Sequence, residues 1–233
     1  MADVQKVLGG RMRICVVIPV HNEAKTIGSI VESLSFKHIE SLVIDDGSLD
    51  GSGQIAKSRG AAVITNNPRG GKGNALKQGF AYAIKHHYDA VITMDGDGQH
   101  DVGDIENFIQ QAHKDPVSVI TGNRMSNAKG MPLLRYLTNT FMSFIISSAC
   151  KHKIPDTQCG YRYIHCSILR EIALISNDFE IETEILMKTS KKGYLIYSVP
   201  VKTIYNNEES KISPFRDSVR FINYFLKELR NKA

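Results

Sequence analysis

Nowhere does this sequence offer the roughly 20 consecutive apolar residues that a membrane-spanning helix needs. Its longest uncharged stretch, 136–150, falls short of that length. A spanning chain is therefore not expected, although contact with one face of a membrane stays open. Residues 1–11 lack the apolar run of a secretory signal, and 1–12 read as a flexible lead-in. Cysteine is sparse. Cys15, Cys150, Cys159 and Cys166 form no C-x-x-C, and no histidine cluster completes a zinc set. Cys15 lies in an apolar run and reads as core. This usage fits a reducing compartment, so the expected address is cytoplasmic, with the inner face of the cell membrane included. A dense Lys/Arg stripe interleaved with aromatics is missing as well, and nucleic acid is not an expected partner. Without repeats or a low-complexity linker, 13–233 reads as one domain. The sequence carries no signature of oligomeric state.

What is present is ordinary globular material, with 42% hydrophobic and 23% charged residues. The formal charge of +5 suits anionic partners such as nucleotides, phosphates or an acidic membrane surface.

The N-terminal half alternates strand and helix patterns. Short β-branched runs at 13–19, 41–45, 61–64, 90–94 and 117–120 predict buried parallel strands. Between them, helical spacing predicts helices at 24–35, 51–59, 72–86 and 102–113. That rhythm predicts an α/β fold, a doubly wound, mostly parallel, Rossmann-like sheet with helices on both faces. The second half is less regular. It has an amphipathic stretch at 133–149, a polar loop at 155–160, a helix at 180–191 and a strand at 194–201. A C-terminal amphipathic helix is expected at 214–230, with Val219, Ile222, Phe225, Leu226 and Leu229 on one face. With Arg220, Lys227 and Arg230 around that face, it suits either core packing or an interfacial position.

In doubly wound sheets, ligands sit beyond the C-terminal strand ends. Three polar clusters fall there. Asp95-Gly96-Asp97-Gly98-Gln99-His100 follows one strand. Two carboxylates separated by glycine can converge on Mg²⁺ or Mn²⁺, which takes one or two carboxylates plus substrate phosphates. An EF-hand reading fails, because His100 stands where the loop needs glycine and a strand precedes the motif. Ile44-Asp45-Asp46-Gly47-Ser48 closes a second strand. Two adjacent carboxylates are not expected to pack together in the core, so at least one should face the crevice. Ser48 or Asp50 would equally serve as a helix N-cap. Pro19-Val20-His21-Asn22-Glu23 ends the first strand, and Glu23 also suits the start of a helix. The run Pro68-Arg69-Gly70-Gly71-Lys72-Gly73-Asn74 leads into a helix as phosphate loops do. It is not a P-loop, because Gly73 stands where Ser or Thr is required.

Together these residues resemble the family 2 glycosyltransferases, and within them the dolichyl- or polyprenyl-phosphate mannose or glucose synthases. Further matches are Gly122-Asn123-Arg124, Arg135 with Asn139, and Asp156-Thr157-Gln158-Cys159-Gly160-Tyr161-Arg162. The resemblance spans 13 to about 211. It implies a GT-A fold, a GDP- or UDP-sugar donor and an inverting transfer. By position, Pro19, His21, Glu23, Asp46, Lys72 and Asp95 would hold the nucleotide. Asp95, Asp97 and Gln99 would surround the Mg²⁺ or Mn²⁺ and the diphosphate. Arg124 and Arg135 would meet phosphate charge, for which the planar guanidinium fork is suited. Either arginine would also be satisfied by a salt bridge. Asp156 is the candidate general base if the acceptor is a sugar hydroxyl, and a turn residue otherwise. Asn139, Ser210, Lys211 and Arg216 would contact the acceptor phosphate. Here the sequence departs from the family's late motif, an Arg before Gly-x-Ser-Lys. Ser210 and Lys211 match, the Arg is missing, and Arg216 is the candidate for its charge.

The implied partners are a nucleotide-sugar donor and a lipid-phosphate acceptor, with peripheral membrane contact. Two other readings stand beside it: the same donor chemistry onto a saccharide hydroxyl, and a non-catalytic nucleotide-sugar or Ca²⁺ sensor.

Overall fold

The computed structural model describes residues 12–128 and 130–204. Residues 1–11 of the expected lead-in at 1–12, the expected helix at 214–230, and Ser210, Lys211 and Arg216 lie outside the described residues, while Met12 packs against the core.

Seven strands form one sheet: β1 (Ile14–Val20), β2 (Glu40–Asp45), β3 (Ala62–Thr65), β4 (Ala90–Thr93), β5 (Val119–Asn123), β6 (Arg162–His165) and β7 (Ile196–Pro200). Their order is β3-β2-β1-β4-β6-β5-β7. Every neighbouring pair is parallel except those made by β6, which runs antiparallel to both β4 and β5. The helices are α1 (Ile27–Phe36), α2 (Ser52–Ser58), α3 (Lys72–Lys85), α4 (Ile105–Ala112), α5 (Leu133–Cys150), α6 (Cys166–Glu171) and α7 (Ile181–Lys191).

The period-two alternation of the strands builds two cores. Cys15 and Val17 of β1, Leu42 and Ile44 of β2, and Val91 of β4 face α3, α5, α6 and α7. Val16, Ile18, Val43 and Ile92 point the other way, against α1, α2 and α4. These strands are apolar on both faces because both are covered, as parallel sheets require. Each fully buried Ile, Val or Leu contributes about 1.5–3 kcal/mol. Close packing on the first core uses Gly79 of α3, where a Cβ would come within 2.3 Å of Val17 Cγ1.

Each expected strand and helix within the described residues is present, with ends moved by at most three residues. The expected helix at 102–113 opens with a 3-10 turn, Val102–Asp104, capped by the Asp101 side chain on Gly103 N–H. Two elements were not expected, β6 and α6. The chain goes from β1 outward to β2 and β3, then crosses to β4 on the other side of β1. That reversal opens a crevice at the C-terminal ends of β1 and β4, where such sheets bind ligands. Because β6 is reversed, the loop leading into it, 155–161, arrives at the same edge.

Candidate active site

The loops after β1, β2, β3, β4 and β5 meet at this edge with the one leading into β6. The one after β1 is tied to the one after β2. Asn22, at φ 57°, donates its N–H to Ser48 Oγ at 3.0 Å and accepts Leu49 N–H on Oδ1 at 2.9 Å. Asp50 accepts from Ala24 N–H at 2.9 Å, and His21 Nδ1 lies 2.9 Å from the Asp46 carbonyl. Pro19, His21 and Glu23 are each half-buried along this seam.

The expectation for Asp45 and Asp46 needs correcting, because both are buried, at 4% and 3% exposure. The rule that buried carboxylates are costly holds only for unpartnered ones. Asp45 accepts Ser48 N–H. Asp46 accepts Asn66 Nδ2 at 2.9 Å and the N–H groups of Gly70 and Gly71 at 2.8 Å each. Burial raises the Asp46 pKa, but those three hydrogen bonds outweigh it and hold the carboxyl below its ordinary range. The glycine-rich run thus already cradles an anion, and that anion is Asp46. The Asn74 N–H is taken as well, donating to Asn177 O at 3.1 Å. Gly73 is small for a different reason than phosphate: a Cβ there would lie 2.6–2.8 Å from backbone atoms of residues 176–178.

Asp95 and Asp97 follow β4. Thr26 Oγ1 donates to Gly96 O at 2.6 Å and fixes the loop between them. Gln99 N–H closes on Asp97 Oδ1 at 2.9 Å. His100 is buried, stacked on Tyr161 with ring centroids 4.8 Å apart, and its Nδ1 accepts the Asp95 N–H at 3.2 Å. Burial pushes its pKa down to about 4, so the imidazole is neutral at pH 7.

Lys72 Nζ sits 2.6 Å from Asp95 Oδ1 and 2.7 Å from Glu182 Oε1. Burial opposes its charge, but the two carboxylates more than compensate and hold it protonated. Asp95 is likewise desolvated, yet Lys72 draws its carboxyl below the ordinary range. Asp97 goes the other way. Burial, then the negative charge of Asp95, raises its pKa, and among the described residues no salt bridge reaches it. Two desolvated carboxylates with one ammonium between them are short of positive charge. That donor set suits a hard divalent cation completed by phosphate oxygens. Among the described residues no three His, Cys, Asp or Glu side chains group as metal ligands, so a bound ion would take its remaining ligands from substrate or water.

Arg124, in the turn after β5, forms a buried fork with Asp156. Nε reaches Oδ2 at 2.7 Å and Nη2 reaches Oδ1 at 2.9 Å, while Arg124 N–H and Gln158 N–H add bonds at 3.2 Å. Asp156 is fully buried. Both candidates therefore fall together, but on each other. The structure does not present Asp156 as an open base, because its two oxygens accept four hydrogen bonds from Arg124 and the main chain. Arg135 lies half-buried in the first turn of α5. Asn139, on the inner face of α5, is 8% exposed, and its Nδ2 has no hydrogen-bond partner among the described residues.

Glu182 was not anticipated, and Arg162 was matched only as the last residue of a motif, without a role. Glu182 of α7 pairs with Lys72 and, at 4.0 Å, with Arg162. Arg162 of β6, 1% exposed, spends its guanidinium on the carbonyls of Thr157, Cys159 and Glu182. It braces the 157–161 loop against α7. Gly160 in that loop allows close approach: a Cβ would meet Asp95 Oδ2 at 2.8 Å and Glu182 Oε1 at 2.9 Å.

The chain is similar to known proteins in sequence and in fold. Residues 15–173 match the family described as Glycosyl transferase family 2. The chain is 30% identical to the UDP-N-acetylglucosamine–dolichyl-phosphate N-acetylglucosaminyltransferase of Methanococcus voltae, over 82% of this chain and 86% of that protein. Among solved structures, mannosyl-3-phosphoglycerate synthase from Rubrobacter xylanophilus superposes with a TM-score of 0.78 at 19% identity, covering 98% of this chain and 77% of that one. Glucosyl-3-phosphoglycerate synthase from Mycobacterium tuberculosis, in complex with Mn²⁺, UDP and glucosyl-3-phosphoglycerate, gives 0.66 at 19% identity over 88% and 76%. These two likenesses establish the GT-A-like fold.

Proposed function

The chain belongs to glycosyl transferase family 2, and from that premise we propose that it is a Mg²⁺- or Mn²⁺-dependent enzyme moving a hexose from a GDP- or UDP-sugar to a polyprenyl phosphate. The carrying observation is the Asp95–Asp97 pair, desolvated at the switch-point crevice and balanced only in part by Lys72. Asp95, Asp97 and Gln99 would hold the ion with the donor's diphosphate. When bound, it would supply Lewis-acid stabilisation of the charge on the departing nucleoside diphosphate. The crystallised M. tuberculosis relative, named with Mn²⁺ and UDP, supports this assignment.

The chain's own residues would do the rest. Pro19, His21 and Glu23 line the seam where a nucleoside would rest, and Asp46 shapes that wall through Gly70 and Gly71. Lys72 fixes the Asp95 carboxylate. In the transfer, an acceptor oxygen would attack the anomeric carbon as the bond to the diphosphate oxygen breaks, with inversion.

The fork of Asp156 on Arg124 favours a phosphate acceptor over a saccharide hydroxyl. A phosphate oxygen is already anionic and needs no base, whereas a hydroxyl needs a carboxylate free to take its proton. Asp156 is not free. Arg135 and the unpartnered Asn139 Nδ2 would receive the phosphate. The dolichyl-phosphate relative of M. voltae supports the same acceptor class. Peripheral contact with the inner face of the cell membrane follows from such an acceptor.

The test is a panel of radiolabelled nucleotide sugars incubated with polyprenyl phosphate and Mg²⁺ or Mn²⁺. A chloroform-soluble, acid-labile product, lost with Asp97→Ala, is expected. Label confined to water-soluble glycan would overturn the acceptor assignment, and turnover unaffected by Asp97→Ala would overturn the metal assignment.

A further inference from the structure

Helix α5 presents an apolar ridge to solvent. Leu133, Leu134, Leu137, Phe141 and Phe144 are 72%, 72%, 54%, 63% and 71% exposed. At helical spacing these five fall within an arc of about 100°. Asn139, Ser143, Ile146 and Cys150 are the buried residues of the helix and occupy the opposite side. The ridge runs along about 17 Å of the helix axis. Single exposed leucines are ordinary, but a continuous ridge of five large apolar side chains marks an interaction surface.

The charge around it indicates what it meets. From Pro116 to Pro155 the sequence contains no Asp or Glu. Arg135 stands in the first turn of α5, and Lys151 and Lys153 are exposed just beyond its last. The longest helix of the described residues thus combines an apolar ridge with cations at both ends and no acidic residue. We propose that the α5 ridge docks on an anionic lipid bilayer, lying in the headgroup plane with Leu137, Phe141 and Phe144 inserted. A second copy of this chain fits less well. A two-fold interface brings each surface onto itself, so the cations at the two helix ends would face cations. No described helix is long and apolar enough to cross the membrane, so this contact is one of surface attachment.

The same helix reaches the site. Ser143 Oγ, on its buried face, accepts Thr157 N–H at 2.9 Å, next to the Asp156 that grips Arg124. A bilayer under the ridge would therefore lie one helix diameter, about 10 Å, from the acceptor-side loop. The docking surface itself does not depend on the lipid-phosphate acceptor.

The experiment is co-sedimentation of the full chain with vesicles lacking polyprenyl phosphate, made of phosphatidylcholine alone or mixed equally with phosphatidylglycerol. The wild type is expected to partition onto the anionic vesicles, more weakly as salt rises. The triple variant Leu137→Ser/Phe141→Ser/Phe144→Ser should partition about tenfold less or worse, with its Tm and solution mass unchanged. Equal partitioning of variant and wild type, or no binding by either, overturns the proposal. A Tm several degrees lower in the variant would mean that the chain itself covers the ridge, and a wild-type dimer that the variant dissociates would mean a second copy does. Either result also overturns it.

Discussion

Arg124 and Asp156 hold each other by two parallel charge-assisted hydrogen bonds in a buried setting, the geometry in which removing one partner is most costly. Asp156→Ala leaves a buried guanidinium without its counter-charge and should lower unfolding free energy by about 3 kcal/mol, read as a lower urea midpoint at unchanged slope. A catalytic base would behave differently, with kcat falling while the midpoint stayed put. Gly73 offers a second single-residue test. Its φ is ordinary, so only space matters, and an added Cβ would press on backbone atoms that cannot rotate away. Gly73→Ala should destabilise by about 2 kcal/mol, through overpacking against residues 176–178, and thermal unfolding measures it. Both effects come from partners far away in the sequence, which explains what the sequence hid. A carboxylate followed by glycines reads as a ligand site. Nothing local in Asp46 says that the loop after β3, 20–25 residues on, supplies it with three donors.

α7 supports the site from behind through two carboxylates with different tasks. Glu182 meets Lys72, while Glu184, fully buried, accepts the N–H groups of Ile175 and Ser176 and the Lys188 ammonium. This ties down the loop that packs on Gly71 and Gly73. Burial raises the Glu184 pKa, but the Lys188 and backbone hydrogen bonds outweigh it and set it below 4.5. A carboxylate depressed in the folded state stabilises the fold above its unfolded pKa, and that stability is lost as pH falls through the folded value. Glu184→Gln should therefore be about 2 kcal/mol less stable at pH 7, and the gap should close below pH 4.5. Urea titrations of both proteins from neutral to acid pH check this. Elements were legible where burial is apolar on both sides, as in β1, β2 and β4, since such runs admit one reading. β6 was not. Arg162-Tyr163-Ile164-His165 puts a guanidinium in the core, and its acceptors are main-chain carbonyls that no sequence pattern displays. Glu182 stayed hidden for a related reason: 110 residues separate it from Lys72.

For the molecule as a whole, under the proposed function, the balance of charge in the crevice would make binding of metal and of nucleotide interdependent. Two of the positive groups at the crevice are already engaged, Lys72 with Asp95 and Glu182, and Arg124 with Asp156. A nucleoside diphosphate arriving alone would set its charge beside Asp95 and Asp97 without compensation. A divalent ion arriving alone would find two carboxylates, one of them shared with Lys72, and no third His, Cys, Asp or Glu grouped with them among the described residues. Each therefore lacks what the other brings, and by linkage each must strengthen the other by the same factor. A ligand at 100 times its Kd stabilises the folded state by about 2.7 kcal/mol. For a chain of this size that is about 5–10 °C in Tm. UDP or GDP with Mn²⁺ should produce a shift of that order, larger than the sum of the shifts from either alone, and EDTA should abolish it. Asp97→Asn should keep the fold and lose the synergy, because it removes the carboxylate that has no cation of its own. A full shift from the nucleotide in EDTA would show that Lys72 and Arg124 supply the positive charge unaided, and the metal would then have no place in this crevice.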